Sequence, residues 1–267
     1  MRRRCLQRIR GRRSRIYTLP LPAVNPVIEI HNLTKNFGAY KAVDALSLNI
    51  SPGEIFGFLG PNGAGKTTTV KILSGIMKPT SGRVLVGGFD VVKQPLEAKK
   101  VLAYIPDEPF VYPKLTGFEF LRFIGDIYSI PYKEQRERIP ELMDLFEISA
   151  QSGELLESYS HGMKQKLLIA SVLLRKPRVV LFDEPTVGLD PKSIRRFKQL
   201  LLDISKDGTA VFMCTHILDM AEKLCTSLGI ISAGRLIAKG TVAEVKKLAS
   251  GAHCDRSLEE VFLELTA

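Results

Sequence analysis

The chain has 267 residues, 45% of them apolar and 25% charged, which fits an ordinary globular protein and excludes collagen-like, disulfide-scaffold and disordered architectures. Lys and Arg number 38 against 28 Asp and Glu, yet eight arginines (Arg2, Arg3, Arg4, Arg8, Arg10, Arg12, Arg13 and Arg15) crowd the first fifteen residues and no acid precedes Glu29. The remainder carries 30 basic against 28 acidic residues, so its body is not a basic nucleic-acid-binding domain.

Residues 1–25 read as a basic N-terminal extension expected to be disordered. The stretch that follows the arginines, Leu19-Pro20-Leu21-Pro22-Ala23-Val24-Asn25-Pro26, is broken by three prolines and lacks the apolar segment of a secretory signal. A solvated tail is one reading; contact with anionic lipid or RNA, organelle targeting and a start not used in the cell are the others. The longest apolar runs, such as Val179 to Phe182, fall far short of the ~20 residues of a membrane-spanning helix. Cys5, Cys214, Cys225 and Cys254 form no CxxC pair, the pattern of free thiols in a reducing compartment.

From Val27 short strands take over. Val27-Ile28-Glu29-Ile30 and the alternating Ala45-Leu46-Ser47-Leu48-Asn49-Ile50 read as half-buried strands of an antiparallel edge, the second closed by the turn Ser51-Pro52-Gly53. Ile55 to Leu59 is a continuous apolar run, followed by a Gly-rich loop and a helix over 67–74; this order opens a βαβ unit on a buried parallel sheet. Between Pro106 and Tyr159 helical spacing replaces strand-type runs, as in Phe118, Leu121, Phe123 and Ile124 and again in Ile139, Leu142, Met143, Leu145 and Phe146. The alternation then resumes with a helix over 164–174, a buried strand over 179–182, a helix over 194–204 and a strand over 210–214. Gly229 to Ile237 carries a hairpin signal, and Ser257-Leu258-Glu259-Glu260 is a capping box that opens a last short helix.

Gly60-Pro61-Asn62-Gly63-Ala64-Gly65-Lys66-Thr67 fits G-x-x-x-x-G-K-[ST] and stands between an apolar strand and a helix, as phosphate binding requires. Glycines let successive backbone N–H groups turn inward on phosphate oxygens, and the helix N-terminus adds partial positive charge. Lys66 sets an ammonium against the β- and γ-phosphates, and the Thr67 hydroxyl suits Mg²⁺. These eight residues and Thr68 are the candidate phosphate contacts. Asp183-Glu184 ends the buried strand Val179–Phe182, where ligands bind in open α/β sheets. Asp183 is the metal-side carboxylate, and Glu184 the base that activates or orients water. An apolar strand ending in Asp-Glu is common; beside a phosphate loop it becomes an ATPase pair. His216, in Cys214-Thr215-His216, is by its residue type either a structural histidine or a neighbour of the γ-phosphate.

In this order the motifs resemble the ATP-binding subunit of ABC transporters, from Val27 to Leu265. Ser158-Tyr159-Ser160-His161-Gly162-Met163-Lys164-Gln165 stands where that family has its LSGGQ signature, Val187-Gly188-Leu189-Asp190 resembles the D-loop, His216 matches the switch histidine, and Phe37 matches the aromatic that stacks on adenine. The resemblance implies an ATPase that uses ATP and Mg²⁺. Two subunits, alike or different, pair head to tail, so that Ser160 and Gly162 of one offer donors to the γ-phosphate held by the other. It also implies a separate multi-span permease, a peripheral position on the cytoplasmic face of the cell membrane, and no direct contact with nucleic acid. Two departures stand out: His161 and Met163 within the signature, and Asp107 where the family has the Q-loop glutamine, a carboxylate still able to ligate Mg²⁺. The signature and the ending Ser257 to Leu265 resemble bacterial exporters. The rival readings are a soluble ABC ATPase acting on the ribosome or nucleic acid, and a non-hydrolysing ATP-gated module, against which Lys66, Asp183, Glu184 and His216 stand intact.

The expected fold is α/β: a P-loop NTPase core with a mainly parallel sheet, an antiparallel β edge subdomain and a helical subdomain at about 106–160. The ATPase domain is expected over 26–245, with a C-terminal helical segment over 246–267.

Overall fold

In the computed structural model, residues 26–186, 190–248 and 257–266 are described. The N-terminal extension (1–25) and Val187-Gly188-Leu189 of the expected D-loop lie outside them. In chain order the elements are β1 (Ile28–Phe37), β2 (Tyr40–Ile50), β3 (Ile55–Leu59), α1 (Lys66–Leu73), β4 (Ser81–Val86), β5 (Phe89–Asp90), α2 (Pro95–Val101), β6 (Leu102–Ile105), α3 (Gly117–Ile127) and α4 (Tyr132–Leu145). After a 3-10 turn at Ser149–Gln151 come α5 (His161–Arg175), β7 (Val179–Asp183), α6 (Pro191–Lys206), β8 (Ala210–Cys214), α7 (Leu218–Leu224), β9 (Ser227–Ser232), β10 (Arg235–Thr241), α8 (Val242–Leu248) and α9 (Leu258–Thr266).

Two sheets share the core. The smaller, in the order β2-β1-β4-β5, is antiparallel throughout, and β1 runs against β2 from Ile28 opposite Ile50 to Phe37 opposite Tyr40. The larger has the order β10-β9-β3-β8-β7-β6 and is parallel except for the β9–β10 hairpin. Its central strands are buried on both faces and so read as continuous apolar runs. Side chains two apart share a face, and the packing follows that rule. Ile55, Leu59, Val180, Phe182, Val211 and Met213 join one apolar cluster with α5, α6, α7 and α9. Phe56, Phe58, Val179, Leu181 and Phe212 join another with α1 and the antiparallel sheet.

Between Pro106 and Ser160 the chain forms α3, α4 and the 3-10 turn, and α3 and α4 pack on α5. A reciprocal capping box, Thr116 with Glu119, fixes the start of α3. The spacing places the signature helix at Lys164, but α5 begins at His161 because the Ser160 hydroxyl caps it, accepting from the Met163 N–H at 3.2 Å. The capping box of α9 is present as expected, with the Ser257 and Glu260 N–H groups each donating to the other's side chain at 3.3 Å. α8 runs across position 245, so the boundary expected there falls inside a helix, and α9 buries Leu258 and Val261 against α7 and α8. No helix among the described residues is long and apolar enough to cross a membrane.

Candidate functional site

The parallel strands deliver their C-terminal ends to one edge of the larger sheet. Phe58 pairs with Cys214, Asp183 with Cys214, and Ile105 with Phe182, so the residues that follow β3, β6, β7 and β8 become neighbours. A pocket of about 330 Å³ lies there. Asn62, Gly63 and Gly65 of the loop and Lys66, Thr67 and Thr68 of α1 form one wall, Asp183, Glu184 and Asp107 another, and Phe37 the mouth.

The loop before α1 is fixed by its own backbone. Gly65 has φ 107°, and a Cβ there would collide with the Ala42 carbonyl oxygen, so only glycine closes this turn. The Lys66 side chain folds back, and its Nζ donates to the carbonyls of Gly60 at 2.7 Å and Pro61 at 3.1 Å. No acidic side chain stands in the first turn of α1, which leaves its N–H groups and partial positive charge to an anion. Gly60, Pro61 and Ala64 do not line the pocket but brace it: the Ala64 N–H donates to the Pro61 carbonyl at 3.2 Å, and its own carbonyl accepts from Gly234 at 3.1 Å.

Across the pocket Thr67 stands close enough to Asp183 to favour its charged form. Burial pushes the Asp183 carboxyl above its ordinary range, as do Asp107 and Glu184, while Thr67 and Lys66 pull it back. Glu184 accepts from His216 twice, from ring Nδ1 at 2.8 Å and from the backbone N–H at 3.4 Å. Its backbone has φ 50°, a left-handed conformation that costs a non-glycine residue about 1 kcal/mol or more. Cys214 is wholly buried, and burial raises its thiol pKa strongly, so it is no nucleophile.

Most of the expected residues therefore converge. Lys66, Thr67, Asp107, Asp183 and Glu184 meet in one pocket, and His216 reaches it through Glu184. Ser160 and Gly162 do not: they stand at the start of α5 and are not part of its lining. Tyr40 and Ala42 line the pocket and were not legible as site residues. The Tyr40 hydroxyl donates to the Gly63 carbonyl at 3.0 Å, and the signal that could have found it is an aromatic three residues after Phe37.

A phosphate-cradling turn facing two strand-end carboxylates defines a nucleotide-binding α/β ATPase of the phosphate-loop class. The family model described as ABC transporter matches residues 43–187. The linearmycin resistance ATP-binding protein LnrL of Bacillus subtilis (strain 168) is 33% identical over 240 residues, spanning 90% of this chain and 75% of that protein. The probable multidrug ABC transporter ATP-binding protein YbhF of Escherichia coli (strain K12) is 36% identical over 240 residues, and the chain spans only 41% of its length. A solved structure of an ATP-binding subunit of an ABC transporter superposes with a TM-score of 0.86 at 32% identity, covering 90% of this chain and all of that one. The chain belongs to the ABC transporter family, among its ATP-binding subunits, and is an ATPase.

Proposed function

We propose that this chain hydrolyses ATP with Mg²⁺ to power export through a separate multi-span permease, paired with a second ATP-binding subunit on the cytoplasmic face of the cell membrane. The observation that carries it is the convergence of Lys66, Thr67, Asp183 and Glu184 on one pocket, with His216 held on Glu184. Export is supported by the names of LnrL, a linearmycin resistance protein, and YbhF, a probable multidrug transporter protein. Pairing is supported by Ser160 and Gly162: donors of a phosphate-binding signature that lie apart from their own pocket serve the ATP of a second subunit. The ATPase domain is taken as 26–245, its helical part as about 106–160, and 246–267 as a C-terminal helical segment.

The residues divide the reaction between them. Phe37 stacks on adenine, while Gly60 to Thr68 wrap the phosphates, Lys66 exchanging its two backbone carbonyls for phosphate oxygens. Three carboxylates against one ammonium leave the pocket negative, so a polyphosphate enters with a divalent cation. Among the described residues no three His, Cys, Asp or Glu side chains form a metal cage, which suits Mg²⁺, since that ion takes few protein ligands besides phosphate oxygens. Thr67, Asp183 and Asp107 would hold it, and its contribution is to neutralise charge on the phosphates. Glu184 accepts a proton from water as the water oxygen bonds to the γ-phosphorus; the bond from that phosphorus to the bridging oxygen breaks, and ADP leaves with its electron pair. His216 keeps the carboxylate aimed.

The test is to express Glu184→Gln in its own cells, trap it with ATP and Mg²⁺, and identify what co-purifies from solubilised membranes. A multi-span polypeptide in stoichiometric amount is expected. Recovery only in the soluble fraction, with ribosomes or nucleic acid, would overturn the transport reading.

A further inference from the structure

Gln165 is fully buried, just over one turn into α5. Its Nε2 donates to the Pro185 carbonyl at 3.4 Å, and its Oε1 has no partner. A stranded buried polar atom destabilises the fold, so a half-satisfied amide in a core needs a reason other than stability. Pro185 follows Glu184 directly and, as a proline, offers only its carbonyl as a handle. Thr186, next in the chain and also buried, carries a hydroxyl with no partner. The α5 residue after Gln165, Lys166, pairs with Asp190 at 3.4 Å. Consecutive residues of one helix thus grip Pro185, just beyond Glu184, and Asp190, the cap of α6.

Glu184 is held on its other sides by the end of β8 and the residues after it: its N–H donates to the Cys214 carbonyl at 3.0 Å, and its carboxylate accepts from His216. Its φ of 50° is a conformation that surrounding contacts must impose, and the contact on the peptide that follows is Gln165. We propose that Gln165 is a positioning residue for Glu184: its amide clamps Pro185 so that the carboxylate meets the attacking water. This rests on the reading of Glu184 as the base. The clamp sits on the helix whose first turn carries Ser160 and Gly162, about 7.5 Å along its axis from Ser160 at 1.5 Å per residue. A shift at that end, where a second subunit's ATP would bind, moves the clamp with it. Both the Gln165 Oε1, an acceptor, and the hydroxyl of Thr186, the residue after Pro185, are left without a partner, so Thr186 is the second polar group on the clamped segment.

The experiment compares the full chain with Gln165→Leu, Thr186→Val, Glu184→Gln and the double variant Gln165→Leu/Glu184→Gln, measuring phosphate release, ATP affinity and melting temperature. Gln165→Leu is expected to lower kcat about tenfold through misplacement of the base, with ATP affinity changed less than about twofold. In the Glu184→Gln background the same substitution is expected to change residual turnover by less than about twofold, since there is no base left to position. Thr186→Val, which keeps shape and removes only the hydroxyl, is expected to lower kcat about threefold in the same pattern, and it carries the test should Gln165→Leu fail to fold. Equal proportional losses in both backgrounds would mark Gln165 as merely structural and overturn the proposal. Full turnover in Gln165→Leu beside lost turnover in Glu184→Gln overturns the positioning role alone; full turnover in Glu184→Gln removes the base and the positioning role together.

Discussion

The two ends of the larger sheet hold two hollows that obey opposite rules. At the N-terminal ends of β7 and β8 lies the larger, about 560 Å³, with Pro52, Leu173, Val180 and Ile204 in its wall. Its buried-side polar groups are partnered within the chain: Arg138 donates to the Leu173 and Leu174 carbonyls at 2.6 and 2.7 Å and pairs with Glu134, and the Thr209 hydroxyl donates to the Pro177 carbonyl at 3.0 Å, while the charged Arg178 and Asp207 are exposed to solvent. At the C-terminal ends lies the smaller, about 330 Å³, where Lys66 rests on backbone carbonyls, Asp183 is buried against its own charge, and Glu184 sits in a disfavoured conformation. Volume does not mark the working end. Charge left for a ligand to answer does, and that is the physical mark of a site assembled for something not part of the chain.

The largest effect that would break this contrast belongs to Lys66→Ala. Loss of an ammonium facing the phosphates is expected to weaken ATP binding about a hundredfold, and equal affinity in a titration of the variant would count against the phosphate-loop assignment. Next comes the opposite end. Arg138→Ala strands the two helix-end carbonyls and is expected to cost about 2 kcal/mol in urea unfolding, with turnover per folded molecule unchanged; a fall in turnover beyond the folded fraction would tie the larger hollow to the reaction.

A smaller effect, of opposite sign for stability, belongs to Asp183→Asn. A raised carboxyl pKa contributes stability that is present below the ordinary value of 3.8 and lost as pH rises through the raised value. The amide removes that loss, so the nucleotide-free variant is expected to melt about 2–4 °C higher at neutral pH, the gap closing toward pH 3.8, while Mg²⁺-dependent turnover disappears. A melting temperature at or below the parent's would mean that burial of this charge is already compensated. Smallest is Tyr40→Phe, which removes the bond to Gly63 and is expected to weaken ATP binding about twofold; calorimetry with unhydrolysed ATP distinguishes that from no change.

The contrast also explains what was legible beforehand. Gly60 to Thr67 could be read because cradling a phosphate forces its residues to be contiguous, and Asp183-Glu184 because a buried parallel strand is an unbroken apolar run with an abrupt polar end. Contacts made by folding left no such trace. Tyr40 meets Gly63 only because β2 runs beside the loop, and Gln165 meets Pro185 only when α5 has packed onto the larger sheet. Within the fold, α2 passes into β6 between Val101 and Leu102 with no turn residue to mark the change, and β4 opens with the exposed Ser81-Gly82-Arg83. Neither element announces itself, because pairing and packing with distant segments stabilise them rather than local preference.

The brace between Gly234 and Ala64 has a consequence for the order of synthesis. The phosphate loop emerges early, but its support comes from a turn about 170 residues later, where the Gly234 carbonyl also accepts from Asp44 and Arg235 pairs with the same aspartate. At roughly 5–20 residues per second, about 8–34 s of synthesis separate the loop from the residue that braces it. The backbone bond from Gly234 thus forms only after β9 has been made, so the first motif of the chain takes its brace from the turn between two of the last described strands.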